Sequence, residues 1–160
     1  MSIKIQNISS QLILDSRGFP TIEATVILSD GSIGRACVPS GASTGEKEAL
    51  EMRDGGTQWM GKGVNRGINN IEKYIGPALK GKNPLNIKQI DQTMIDLDGT
   101  GNKSKLGANA ILAISLANVR AGSKSQNQHL FSYIYEYISK KTSPNSSHLM
   151  PVPMMNILNG

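Results

Sequence analysis

Apolar and polar positions alternate through the first part of this chain and then recur at helical spacing, a change of period that predicts a sheet followed by helices. Residues 3–14 are rich in isoleucine but alternate imperfectly, whereas 21–28 alternate more clearly, with Ile22, Ala24, Val26 and Leu28 on one side. Asp15-Ser16-Arg17-Gly18 and Ser29-Asp30-Gly31 supply turn chemistry between these runs, and 33–38 is a third strand-like run. Three antiparallel strands in a meander are therefore expected. Val64, Ile68, Ile71 and Ile75 then form a helical stripe that Gly76-Pro77 should end or kink. A second helix is expected over 87–97, with Ile87, Ile90, Met94 and Leu97 on one face and Asn86 as N-cap.

Residues 106–121 are apolar almost all round, which predicts a helix buried in the interior. Asn109 within it should hydrogen-bond a backbone group. A last amphipathic segment, 129–138, offers Leu130, Ile134 and Ile138 to the core and its tyrosines to the boundary. The fold class is α+β: a three-stranded antiparallel meander followed by about four helices.

The stretch 38–54 breaks the pattern. Residues 39–45 are small, hydroxylated or turn-forming, which predicts a loop whose amides can approach a ligand closely. Residues 46–53 are good helix formers with acidic residues first, which predicts a short helix. Such a loop suits an anion or a metal, but taken alone it reads first as an ordinary surface connection. Gly61-Lys62-Gly63-Val64-Asn65-Arg66-Gly67 nearly mimics a dinucleotide fingerprint, but Arg66 stands where the third glycine belongs and no strand precedes it, so a dinucleotide site is rejected. Asp91 reads as helix surface, and Asp96 and Asp98 as carboxylates that anchor the turn at Gly99-Thr100-Gly101. His129 and His148 have no ligand-like partner in sequence and receive no catalytic role.

Composition narrows the function classes. The 160-residue chain carries a formal net charge of +5, but its cations are scattered and only 4% of residues are aromatic, too few for a base-stacking platform. No specific nucleic-acid binding is expected. The single cysteine, Cys37, excludes an internal disulfide and reads as a small core residue in the third strand. The start of the chain lacks a signal peptide's apolar segment and no run is suited to a transmembrane segment, so a cytoplasmic location is expected.

Seven blocks in order carry a resemblance: Asp15-Ser16-Arg17-Gly18, Pro39-Ser40-Gly41-Ala42-Ser43-Thr44-Gly45, Glu48-Ala49-Leu50-Glu51-Met52-Arg53-Asp54, Met94-Ile95-Asp96-Leu97-Asp98-Gly99-Thr100, Asn102-Lys103-Ser104, Gly107-Ala108-Asn109-Ala110-Ile111-Leu112 and Met150-Pro151-Val152-Pro153-Met154-Met155-Asn156. Together they resemble the N-terminal part of enolases, the glycolytic phosphopyruvate hydratases. The resemblance implies a parent lyase that interconverts 2-phosphoglycerate and phosphoenolpyruvate with two Mg²⁺ ions, its base, acids and main carboxylate ligands coming from a barrel beyond this stretch. It assigns Ser40, Gly41, Ala42, Ser43 and Thr44 to a mobile substrate-binding lid, with Ser43 a Mg²⁺ ligand. No catalytic residue is expected on this chain.

Arg17 and Glu23, otherwise readable as a surface charge pair, take the family's subunit-interface positions and are expected dimer contacts in a homodimer or higher oligomer. Phe19 departs from the asparagine often found after this glycine. The expected organisation is an N-terminal domain over 1–140, a linker over 141–149, and the first barrel strand over 150–160, in a truncated chain inactive by itself. The alternative is a non-catalytic interaction module.

Overall fold

Strand β2 (Pro20–Leu28) lies at the centre of a three-stranded sheet, antiparallel to β1 (Ile5–Leu14) on one side and to β3 (Ile33–Cys37) on the other. The computed structural model describes residues 2–41, 45, 47–142 and 152–155, with side chains left undescribed over 139–142. Ile22, Ala24, Val26 and Leu28 are all fully buried, as the alternation of β2 requires. The imperfect alternation of β1 has a structural cause: the pairing register shifts between Ile5 and Asn7. One inserted residue swaps the faces of a strand, so Ile5 points into the core before the bulge and Ile8 and Leu12 pack against it afterwards.

The helical part comprises α1 (Asn65–Asn70), α2 (Gly76–Leu79), α3 (Ile87–Asp98), α4 (Ala108–Ser125) and α5 (Leu130–Thr142). A π turn over Ile71–Ile75 joins α1 to α2, so one interrupted helix and three others follow the sheet. Pro77 does not end this first helix. It lacks an N–H, and the ladder widens just ahead of it, with the Gly76 amide reaching back to the Ile71 carbonyl, before one more helical turn closes. Asn86 caps α3 as expected, its side chain accepting from the Gln89 amide at 3.4 Å.

The core lies between the sheet and α4, which buries Ala110, Ala113, Ile114, Ala117 and Ala121. Its alanines let the helix approach β3 closely. At Gly34 a Cβ would stand 2.0 Å from the Ala117 carbonyl oxygen and 2.3 Å from the Ala121 nitrogen, so only glycine permits this contact. The outer edge of β3 is covered from the same helix: Arg120 donates to the Arg35 carbonyl and Lys124 to the Ile33 carbonyl, each at 2.8 Å. These bonds occupy groups that would otherwise invite another strand.

Four expectations are corrected. Cys37 is exposed, because Gly34 and Ala36 take the inward phase of β3 and leave Arg35 and Cys37 outward. On α5 the expected core face is not buried: Ile134 and Ile138 are exposed and Leu130 is only partly buried, while the tyrosines lie at the boundary as expected, Tyr133 with its hydroxyl over Gly122. The missing side chain at Gly122 makes room for a ring that buries more surface than an isoleucine. Asp91 is half-buried on the side of α3 that meets Ser115 of α4, and burial raises its pKa. Asp96 stays on the helix surface, accepting from Gln92 at 2.8 Å, and leaves the turn to Asp98.

Helix α5 runs to Thr142, and of the expected linker residues 143–149 lie outside the described residues. In the expected barrel strand only 152–155 are described, and they carry no strand pairing. Among the described residues no helix is long and apolar enough to cross a membrane.

Candidate functional site: the mounting of the 39–45 loop

The chain enters the Gly/Ser-rich loop directly from the sheet. Beyond β3 the Val38 amide donates to the Ile22 carbonyl at 3.1 Å, and the buried Thr21 hydroxyl donates to the Val38 carbonyl. Two arginines then hold Ser40. Arg17, from the β1–β2 turn, donates to the Ser40 carbonyl at 2.8 Å, and Arg53 donates to the Ser40 hydroxyl at 3.0 Å. Arg53 also donates to the carbonyls of Pro20 at 2.7 Å and Lys62 at 2.6 Å, and pairs with Glu51 at 2.7 Å.

The far limb of the loop is equally fixed, and it is not the expected helix. Residues 49–54 carry neither helix nor strand. The Leu50 amide donates to the Asn102 carbonyl, the Leu50 carbonyl accepts from Ala108, and the Asp54 amide donates to Gly63. Both backbone groups of Met52 go to the Asn109 side chain at 3.1 Å. Helix propensity over 46–53 is overridden because these backbone groups are committed to partners elsewhere, leaving none for a helical ladder. Gly107, with φ of 96°, lets α4 begin this close: a Cβ there would stand 2.6 Å from that of Met52. The expectation that Asn109 binds a backbone group is met.

Asp54 closes the assembly by accepting from the Asn65 amide at 2.9 Å and the Arg66 amide at 2.7 Å, the first turn of α1. This helix start is thus satisfied by the chain's own carboxylate, which removes it as a phosphate site.

A cleft opens between the loop limbs and α4, lined among others by Ser40, Gly41, Gly45, Glu48, Asn109 and Leu112. Of the sequence-assigned loop residues, Ser40 and Gly41 lie on it, and Ala42, Ser43 and Thr44 fall outside the described residues. Mg²⁺ takes about six hard oxygen ligands. Among the described residues no three His, Cys, Asp or Glu side chains come together, and Glu51 on this cleft is engaged by Arg53. The described residues alone therefore do not make a Mg²⁺ shell.

Arg17 and Glu23 are not partners of each other. Arg17 reaches Ser40 and also contacts Asp15 at 3.4 Å. Hydrogen bonds from the Phe19 and Arg17 amides hold the Asp15 carboxyl below its ordinary pKa. Glu23 lies in a cross-strand row with Gln11 and Cys37, accepting from Gln11 at 2.8 Å and from the Cys37 thiol at 3.6 Å. Partial desolvation under its neighbours and the hydrogen-bonded Glu23 carboxylate push that thiol's pKa up, away from the reactive thiolate. What sequence reasoning missed is the Arg53 hub, which joins the carbonyls of Pro20 and Lys62 to the side chains of Ser40 and Glu51, a set of acceptors with no spacing to read.

The family described as "Enolase, N-terminal domain" matches residues 5–134. The chain is 51% identical to the enolase of Mycoplasmoides gallisepticum over 158 residues, 99% of this chain and 33% of that protein. It is 52% identical to the enolase of Elusimicrobium minutum over 157 residues, covering 98% of this chain and 36% of the relative. It is 50% identical to that of Corynebacterium kroppenstedtii over 157 residues, 98% of this chain and 35% of the relative. The chain thus spans about a third of the length of these relatives. With a three-stranded meander, the helices that follow it, and this match over nearly its whole length, the chain belongs to the enolase N-terminal domain family.

Proposed function

We propose that this chain is the lid-bearing part of a Mg²⁺-dependent phosphopyruvate hydratase that interconverts 2-phosphoglycerate and phosphoenolpyruvate in the cytoplasm. The observation that carries the reading is the mounting of the loop: both limbs, through Ser40 and through Leu50–Met52, are bonded to the body of the domain on either side of one cleft. Fixed limbs around a short segment rich in small residues are what a closing loop requires, since closure must move the segment without moving its base. In this reading residues 40–44 approach the substrate, closure excludes water, and Ser43 offers oxygen to a Mg²⁺ held chiefly by residues outside this chain. Loss of the α-proton beside a carboxylate builds negative charge, which the metal stabilises when bound.

Arg17 and Glu23 are proposed as contacts of a homodimer or larger ring, Glu23 through the exposed face of the sheet. The barrel supplies the acid and base, so the 160-residue chain alone is proposed to be inactive.

The test is phosphoenolpyruvate formation from 2-phosphoglycerate with Mg²⁺, measured on this chain alone, on the separately expressed remainder of the enzyme, and on their mixture. Activity only in the mixture is expected. Turnover by the purified chain alone would overturn its proposed inactivity. A mixture that forms a complex yet stays silent would overturn the lid reading and favour a non-catalytic interaction module.

A further inference from the structure

We infer that Arg17 and Arg53 are positioning residues that act as a two-armed clamp on Ser40, setting where the 39–45 loop leaves the domain. The inference rests on the lid reading only for what is being positioned; the clamp itself is a matter of donors and acceptors. Ser40 has one guanidinium on its carbonyl and another on its hydroxyl, from segments 23 and 13 residues away. No local backbone turn is needed to fix it.

Arg53 has the wider reach. Its four acceptors, Pro20, Ser40, Glu51 and Lys62, belong to the start of β2, the near limb of the loop, the far limb, and the turn before α1. One rigid fork therefore joins both limbs of the loop to the sheet. Lysine, with a single compact ammonium, cannot hold so many diverging acceptors in one geometry. Arg17 is oriented in turn by Asp15 and by Phe19, whose ring centroid lies 6.0 Å from the guanidinium carbon. The same ring holds the Lys62 ammonium at 3.6 Å. Phe19, the departure noted in the sequence, thus gathers two cations at the rim of the clamp.

The arginine bonds to Ser40 are charge-assisted, that of Arg17 exposed and that of Arg53 partly buried, so losing one should loosen Ser40 without unfolding the sheet. The test uses the 160-residue chain with Arg17→Ala, Arg17→Lys and Arg53→Lys, and reads the backbone order parameter and carbonyl carbon shift of Ser40 by NMR alongside the melting temperature. In Arg17→Ala the Ser40 order parameter is expected to fall from the rigid range near ~0.85 to below about 0.6, while Val26 in β2 stays rigid. Its carbonyl resonance should move, and added methylguanidinium should return it toward the wild-type position. Arg53→Lys should loosen Ser40 as well, despite the retained charge. An unchanged Ser40 order parameter and carbonyl shift in both Arg17 variants, or loosening that appears equally in β2, would overturn the clamp. Variants that loosen as described, together with a wild-type chain that forms a complex with the remainder of the enzyme yet restores no activity, would retain the clamp and sink the lid reading alone.

Discussion

The side-chain amide of Asn109 grips both backbone groups of Met52, donating to its carbonyl and accepting from its amide, each at 3.1 Å, across 57 residues of sequence. Both residues are buried. An asparagine used this way does the work of a neighbouring strand, and it fastens the far limb of the loop to the first turn of α4.

Replacing it should be costly. Asn109→Ala leaves the Met52 amide and carbonyl without partners inside the protein, and the expected loss is about 2–4 kcal/mol. Asn109→Asp keeps an acceptor for the amide but sets a carboxylate against the Met52 carbonyl, so it should not restore stability at neutral pH. Denaturant midpoints of the three proteins decide the matter, and an alanine variant within about 0.5 kcal/mol of wild type would show that the limb is held by other contacts.

The fold was readable wherever a single neighbour decided the outcome. β2, buried on one face, alternates, and its four inward residues are named by that alternation. Asn109 stood out because a polar side chain on an apolar helix must find a partner. The misreadings share a different cause, which is a distant part of the chain overruling a local preference. The bulge between Ile5 and Asn7 blurs the alternation of β1 without concealing the strand. Residues 49–54 gave up helix for partners at Gly63, Asn102, Ala108 and Asn109. On α5 the space above Gly122 selected Tyr133 over the isoleucines. At the site, residue types revealed the loop but not its mounting, because half of the acceptors of Arg17 and Arg53 are backbone carbonyls, which every residue has.

Asp98 is the second residue that organises the entry to α4. It accepts from the Leu106 amide at 2.7 Å, from the Thr100 amide at 3.0 Å and from the Thr100 hydroxyl. Burial pushes its pKa up, but these hydrogen bonds outweigh that effect, and the folded value lies below the ordinary one. A lowered carboxyl stabilises the fold fully above its unfolded pKa, and that contribution is lost as the pH falls through the folded value. Asp98→Asn, which presents an NH₂ where one amide now donates, should cost about 2–3 kcal/mol at pH 7. The gap between wild type and variant should narrow in acid. Denaturation at neutral pH and in strong acid measures both, and a gap independent of pH would mean that the charge of Asp98 contributes nothing.

Asp91, two turns earlier on α3, should behave in the opposite sense. Its Oδ1 is buried without a hydrogen-bond partner, and burial raises its pKa, which a hydrogen bond from Ser115 only partly offsets. The folded state therefore prefers the protonated form. The penalty for ionising it is absent below the unfolded pKa, sets in as the pH rises toward the raised folded value, and is complete above that. Asp91→Asn removes the charge while keeping the shape, so at pH 7 the variant should be more stable than wild type by about 1 kcal/mol, or roughly 2–4 °C in melting temperature. The advantage should fade as the pH is lowered and the wild-type carboxyl takes up its proton. Melting curves across this range test the argument, and an asparagine variant less stable at pH 7 would mean that the carboxylate is held by favourable interactions strong enough to outweigh its burial.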